Sequence, residues 1–217
     1  MIAGVDEAGR GPVLGPLVIC GVLFTREGLA GLREAGVKDS KLLSPRRREE
    51  LAKLIMKRAL KVKLVELPPS RIDKLRLTHK LNLNEIEARH VAEILNYLKP
   101  KLAYVDSVDP DPRLFKHRLQ RHLRARVKLV VESFADQKYE VVGAASILAK
   151  VRRDRRVASL RRRYGDFGSG YASDPRTIAF LERWVRERGK LPSFARRSWE
   201  TAQRILSRFS PEQTRLF

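Results

Sequence analysis

The chain has 217 residues, 43% of them hydrophobic, and 46 basic against 25 acidic side chains give a formal net charge of +21. This length and apolar content support a globular protein of one large domain, or of a domain with an appendage, and no apolar run is long enough to span a bilayer. The single cysteine, Cys20, excludes an internal disulfide and a cysteine zinc cluster. So lopsided a charge points to a polyanionic partner, nucleic acid first, although a heat-adapted surface would also be rich in charge and poor in Asn, Gln, Cys and Met.

The opening lacks the basic-then-apolar pattern of a secretory signal, and Asp6-Glu7 would interrupt one, so a cytoplasmic protein is expected. Ile2 to Val5 reads as a buried strand ending in the two adjacent carboxylates. Gly9-Arg10-Gly11 follows as a turn, and a second apolar run, Val13 to Phe24, completes a hairpin and holds Cys20 as a small buried hydrophobe. Gly28, Gly31 and Gly36 mark a loop leading to Lys38-Asp39-Ser40-Lys41. Ser44-Pro45 then opens a helix with Leu51, Leu54 and Ile55 on its apolar stripe. Lys61–Leu67 alternates as a strand until Pro68-Pro69, and Ser70 is expected to cap a short helix. A longer helix runs from Asn82 to Leu98, with Ile86, Val91, Ile94, Leu95 and Leu98 inward.

Leu102–Val105 is a compact strand ending in Asp106, and the turn Val108-Asp-Pro-Asp-Pro112 leads to a basic helix over Leu114–Leu123. Val127–Phe134 is a third compact strand, with Asp136 just beyond. From about Tyr139 to Tyr164 a long helix begins small and apolar and becomes densely basic between Arg152 and Arg163. That run suits either a solvated helix face or a clamp on a duplex backbone. After the turn-rich loop Gly165–Pro175, helices are expected over Pro175–Arg188 and Ser198–Phe209. The order of elements implies an α/β protein: a mixed sheet flanked by helices over residues 1–165, then a helical C-terminal subdomain over residues 166–217.

An acid after a strand is, taken singly, most often a turn former or a helix cap. Asp109, Asp111, Asp166 and Asp174 are left in such roles. Asp6, Glu7, Asp106 and Asp136 differ because all follow strands, and in open α/β sheets the working site gathers at the carboxyl ends of the strands. If those strands are neighbours, the acids crowd one cleft and need compensating cations, and two divalent ions there would suit phosphodiester hydrolysis. Other chemistries lack their residues: there is no Walker loop, a strand follows the glycines where a dinucleotide fingerprint needs a helix, and His79, His90, His117 and His122 have no zinc spacing and are expected at the surface.

At this point the chain resembles the type 2 ribonucleases H (ribonuclease HII), the archaeal members more than the bacterial. The resemblance covers nearly the whole chain. It is carried by Gly4–Pro12, Lys38–Lys41, Tyr104–Ser107, Ala135–Tyr139 with Ala144–Lys150, and Gly165–Pro175. It implies a ribonuclease H-like fold and an endonuclease that cuts the RNA strand of RNA–DNA hybrids and nicks duplex DNA 5′ of embedded ribonucleotides, leaving 5′-phosphate and 3′-hydroxyl ends. The implied cofactor is Mg²⁺ or Mn²⁺, held by Asp6, Glu7, Asp106 and Asp136. By the same resemblance Gly9, Arg10 and Gly11 sense the 2′-hydroxyl, Tyr171 stacks on the sugar at the RNA–DNA junction, and Asp39, Ser40, Lys41, Ser146 and Lys150 contact phosphates. Glu140 and Gly143 depart from the family's usual residues without removing an implied ligand. The end of the chain, with Gln213, Leu216 and Phe217, resembles a shortened sliding-clamp-binding motif, and Gln203–Phe209 fits that spacing but reads as a packed helix.

Overall fold

Five strands form one mixed sheet in the order β3-β2-β1-β4-β5, in a computed structural model that describes residues 1–37 and 43–209. β1 (Ile2–Ala8) lies at the centre, antiparallel to β2 (Leu17–Phe24) and parallel to β4 (Leu102–Asp106). β4 runs parallel to β5 (Lys128–Glu132), and β3 (Lys61–Leu67) borders β2. The strands ending in Asp6-Glu7 and Asp106 are therefore neighbours, and β5, just before Asp136, is next in line.

Nine α-helices accompany these strands among the described residues, five between them and four after β5: α1 (Arg26–Glu34), α2 (Pro45–Arg58), α3 (Pro69–Asp73), α4 (Leu83–Leu98), α5 (Pro112–Gln120), α6 (Ala135–Lys138), α7 (Glu140–Tyr164), α8 (Pro175–Arg188) and α9 (Glu200–Arg208). Several starts follow local chemistry: Ser44, Asn82 and Asp174 accept N–H bonds at the starts of α2, α4 and α8, and proline takes the first turn of α2 and α8. None of the helices is long and apolar enough to cross a membrane, among the described residues.

Four expectations need correction. The glycine-bearing stretch after Thr25 is helix α1, because the Thr25 hydroxyl accepts from Gly28 N (3.1 Å) and Leu32 is wholly buried, which offsets the glycines' low propensity. Ser70 lies inside α3, whose cap is Pro68, and a single π-helical turn, Lys74–Thr78, continues that helix. α5 begins two residues earlier than expected because Asp111 caps it, accepting from Arg113 N (2.9 Å), with Pro112 next. His90 and His122 are half-buried instead of superficial, and His122 Nε2 bonds Glu85 at 2.8 Å.

By its internal contacts the chain divides into two units. The first comprises residues 1–8, 18–66 and 82–152, and the second comprises residues 9–17, 67–81 and 153–217. In the first unit the small apolar half of α7 packs on the Gly4 face of the sheet together with Val22, Leu51 and Ile55, while Ile94 and Leu98 of α4 cover the opposite face beside Gly21. The helix comes so close that a Cβ on Gly4 would penetrate the Val141 carbonyl, and one on Gly143 would sit 2.6 Å from Val37 O. Both obstacles are backbone atoms and cannot rotate away. The second unit has its own core of Val13, Leu14, Phe167, Phe180, Leu181 and Phe194, with the Tyr164 and Phe194 rings stacked at 4.6 Å.

Gly4→Ala is accordingly expected to destabilise the protein by about 1–3 kcal/mol or more, read as a lower denaturation midpoint, because overpacking against backbone has no rotamer escape. An unchanged midpoint would contradict this packing.

Candidate active site

The carboxyl ends of β1 and β4 carry the acids, and strand geometry decides where each one points. Successive residues of a strand face opposite sides of the sheet. Asp6 shares the Gly4 face with α7, and Asp106, one residue past the Val5–Val105 pair, lies on the same face of the adjacent strand. Glu7 starts from the α4 face, and the small pocket it lines also takes in Asp6, Glu87, Val91, Val105, Asp106 and Phe115.

Asp6 is only 6% exposed. Its Oδ1 accepts from Glu7 N at 2.7 Å, and its carboxylate accepts from the Ser146 hydroxyl on α7. Ser146, fully buried, in turn accepts from Lys150 Nζ at 2.9 Å, one helical turn on. Burial pushes the Asp6 carboxyl above its ordinary range, and Asp136 pushes it the same way; Ser146, the Glu7 N–H and Lys150 pull it down without cancelling burial. Asp6, Asp136, Ser146 and Lys150 thus form one electrostatic group. Cys20, paired across the strand from Asp6, has its thiol pushed up by burial and by that carboxylate, as befits an inert core residue.

Asp106 fixes the next piece of chain: its Oδ1 accepts from Ala135 N at 2.6 Å. Phe134 adopts a left-handed conformation (φ 58°), which turns the chain out of β5 into α6 and leaves Asp136 only 3% exposed. Glu132 lies opposite Asp106 in register but is engaged by Lys138 Nζ (2.7 Å) and the Tyr139 hydroxyl (2.9 Å). Glu140 pairs with Arg33 of α1 at 2.8 Å.

The structure also gives a residue that sequence reasoning passed over. Glu87 is 1% exposed and lines the pocket with Glu7. Its signal was its spacing: Glu87, Val91 and Ile94 fall on the inward stripe of α4. Oxygen donors of this kind suit hard divalent cations. As they stand, no three His, Cys, Asp or Glu side chains among the described residues are grouped to hold one ion.

The second unit holds the Gly-Arg-Gly loop. Gly9 has φ 84°, a left-handed conformation that favours glycine. Gly11 is exposed and lies against the Tyr171 ring, since a Cβ there would sit 3.2 Å from its Cε1. Tyr171 is 42% exposed, so it is available to a ligand and is not packed on the core. Its loop is held by Asp174, which accepts from Ser169 N (2.6 Å) and Arg176 N (2.9 Å), and by Thr177, which joins Gly170 N to Phe167 O. Within α7, Arg152 pairs with Glu66 at 2.9 Å and Arg161 pairs with Asp166 at 3.7 Å, so part of the basic run is engaged within the protein. Asp39, Ser40 and Lys41, and the tail with Gln213, Leu216 and Phe217, lie outside the described residues.

The ribonuclease HII family model matches residues 3–202. Similar curated proteins include the ribonuclease HII of Thermofilum pendens, 46% identical over 94% of this chain and 98% of its own, and that of Pyrococcus abyssi, 44% identical over 99% and 95%. Among solved structures, the ribonuclease H2 from Pyrococcus horikoshii superposes with a TM-score of 0.89 at 44% identity, covering 96% of this chain and 98% of that one. The PCNA:RNase HII complex from Archaeoglobus fulgidus contains a chain matching with a TM-score of 0.85 at 44% identity, over 94% and 96%. The mixed sheet with acids at its carboxyl ends is thus a ribonuclease H fold. Within that class the chain belongs to the ribonuclease HII family, the type 2 ribonucleases H, endoribonucleases that act on RNA–DNA hybrids.

The Asp174 carboxyl is drawn down to about 2, chiefly by the Ser169 N–H, against an unfolded value of about 3.9. A carboxyl depressed on folding stabilises the native state above its unfolded pKa, and that contribution disappears as pH falls through the folded value. Acid titration should therefore show part of the stability vanishing between about pH 4 and pH 2, and Asp174→Asn should flatten that window. An identical pH profile for the variant would contradict the assignment.

Proposed function

We propose that this ribonuclease nicks duplex DNA 5′ of single embedded ribonucleotides as well as cutting hybrids, with water as nucleophile and with 5′-phosphate and 3′-hydroxyl products. The observation that carries the reading is the set of acids at adjoining strand ends, Asp6, Glu7 and Asp106, with Asp136 tied to them through Asp106 and Ala135. These four carboxylates would hold Mg²⁺ or Mn²⁺. Two such ions, when bound, activate water and stabilise the leaving oxygen of a phosphodiester.

The protein's own groups account for the remaining roles. Ser146 and Lys150 orient Asp6 and temper its burial, and Lys150 is also a candidate phosphate contact with Asp39, Ser40 and Lys41. Gly9-Arg10-Gly11 reads the 2′-hydroxyl through its backbone, the group that distinguishes RNA from DNA, and exposed Tyr171 stacks on the sugar beside it. The C-terminal stretch over residues 166–217 serves substrate binding, and Gln213, Leu216 and Phe217 dock on a sliding clamp. Such an activity belongs to ribonucleotide excision repair and DNA replication in the cytoplasm.

A DNA duplex with one embedded ribonucleotide, incubated with Mg²⁺ or Mn²⁺, should be cut once, 5′ of the ribonucleotide. No cut with either ion would contradict the reading. Asp106→Asn, which keeps an oxygen for Ala135 N–H, should abolish cleavage yet leave hybrid binding within about threefold of wild type. Loss of both would assign Asp106 to folding instead.

A further inference from the structure

The carbonyls of the Gly-Arg-Gly loop all turn toward one short segment near the C-terminal end. Arg196 is fully buried, and its guanidinium donates to two of them, Nη1 to Arg10 O (2.7 Å) and Nη2 to Gly9 O (2.5 Å), and through Nε to Gly15 O (3.1 Å) just beyond the loop. Three residues on, Trp199 Nε1 donates to Gly11 O at 3.1 Å. Two guanidinium groups lie over the Trp199 ring, Arg76 at 4.9 Å and Arg196 at 4.7 Å from its centroid. The segment is itself fixed from below. Buried Asp73 accepts from Arg197 N and Ser198 N, both at 2.9 Å, and Arg196 N donates to Val13 O at 2.8 Å.

Burying a guanidinium is costly unless its donors are satisfied. Burial pushes the Arg196 pKa down to about 9, Arg153 adds to that pressure, and Asp73 and Tyr171 oppose it. A packed apolar side chain would be the simpler way to fill this place, so the three carbonyl contacts need a reason of their own.

The peptide plane supplies one. Every peptide bond among the described residues is trans, so each carbonyl points opposite to the N–H of the next residue. With the carbonyls of Gly9 and Arg10 held by Arg196, the N–H groups of Arg10 and Gly11 are turned away from the segment. Gly11 is exposed against Tyr171, and these are the donors that a reader of a sugar hydroxyl requires. We infer that Arg196, in a segment held by Asp73, is the positioning residue that sets the direction of the Arg10 and Gly11 N–H groups and thereby the recognition of the ribose 2′-hydroxyl; Trp199 braces it, since its ring lies near the Arg196 guanidinium and its N–H fixes the Gly11 carbonyl, whose own peptide has no N–H because Pro12 follows. This rests on the reading of the loop as the 2′-hydroxyl sensor.

The test is binding without turnover. In the Asp106→Asn background, the affinity for a duplex with one ribonucleotide is compared with that for the same duplex in all-DNA form, alongside the melting temperature. The ratio of the two affinities isolates recognition of the single hydroxyl from general phosphate binding. Trp199→Phe keeps the aromatic ring and removes only its N–H, and Arg196→Lys keeps the charge and removes the fork. Each variant should lower the ratio about tenfold, leave the all-DNA affinity unchanged and keep a cooperative melt. A variant that weakens both duplexes equally, or leaves the ratio unchanged, overturns the inference for its residue. If the parent itself shows no preference for the ribonucleotide, the sensor reading fails and takes the inference with it; a parent preference that survives both substitutions defeats the clamp alone.

Discussion

A buried carboxylate must be compensated, and Asp6 sits buried at the end of the central strand. Much of the first unit is arranged around that one requirement. α7 can approach the sheet closely enough to bring Ser146 to Asp6 because Gly4 lacks a side chain, and Gly143 lets the same helix pack against the carbonyls of Val37 and Asp136. Lys150 reaches back one turn to the same hydroxyl, so one helix supplies both a neutral hydrogen bond and a positive charge. Asp136 adds a like charge to this setting, which raises the cost of keeping Asp6 ionised and makes a bound cation the natural remedy. Asp106 stabilises the arrangement by holding the start of α6, on which Asp136 rides.

The second unit solves a different problem, that of satisfying the backbone of the Gly-Arg-Gly loop. A loop that presents N–H groups has to dispose of its carbonyls, and buried carbonyls need donors. Arg196 and Trp199 provide them, while the fixed Gly170 carbonyl receives the N–H groups of Val13 and Leu14. The left-handed Gly9 starts this course two residues after Glu7. Sequence brings candidate metal-binding acids and a candidate sugar reader within five residues, yet each is stabilised by a separate core.

Much of this was legible in the sequence because the controlling signals are local. Compact apolar runs ending in acids marked β1 and β4, and Ser44-Pro45, Asn82 and Asp174-Pro175 marked helix starts that the structure bears out. Asp111-Pro112 carries the same signal, but the alternating prolines around it imitate a turn. Helix α1 was hidden by its glycines, whose cost is offset by Leu32, a tertiary contact that no local pattern reveals. Period-two alternation already separates the directions of Asp6 and Glu7, and Glu87 stands on an inward stripe where an acid is unexpected. The second unit, assembled from three separate stretches, depends on contacts spanning most of the chain, such as those of Arg196 with Gly9 and Arg10, and spacing does not encode them.

Under the proposed function, acids from two faces of one sheet end act together on divalent ions. Titration of the protein with Mn²⁺, followed by electron paramagnetic resonance, tests it without relying on turnover. Wild type should bind Mn²⁺, and Asp6→Asn, Glu7→Gln, Asp106→Asn and Asp136→Asn should each weaken binding by about tenfold or more. Glu7 is the decisive position because its side chain starts from the opposite face of β1 to Asp6. Mn²⁺ binding that is unchanged in Glu7→Gln, or absent from wild type, would contradict the account.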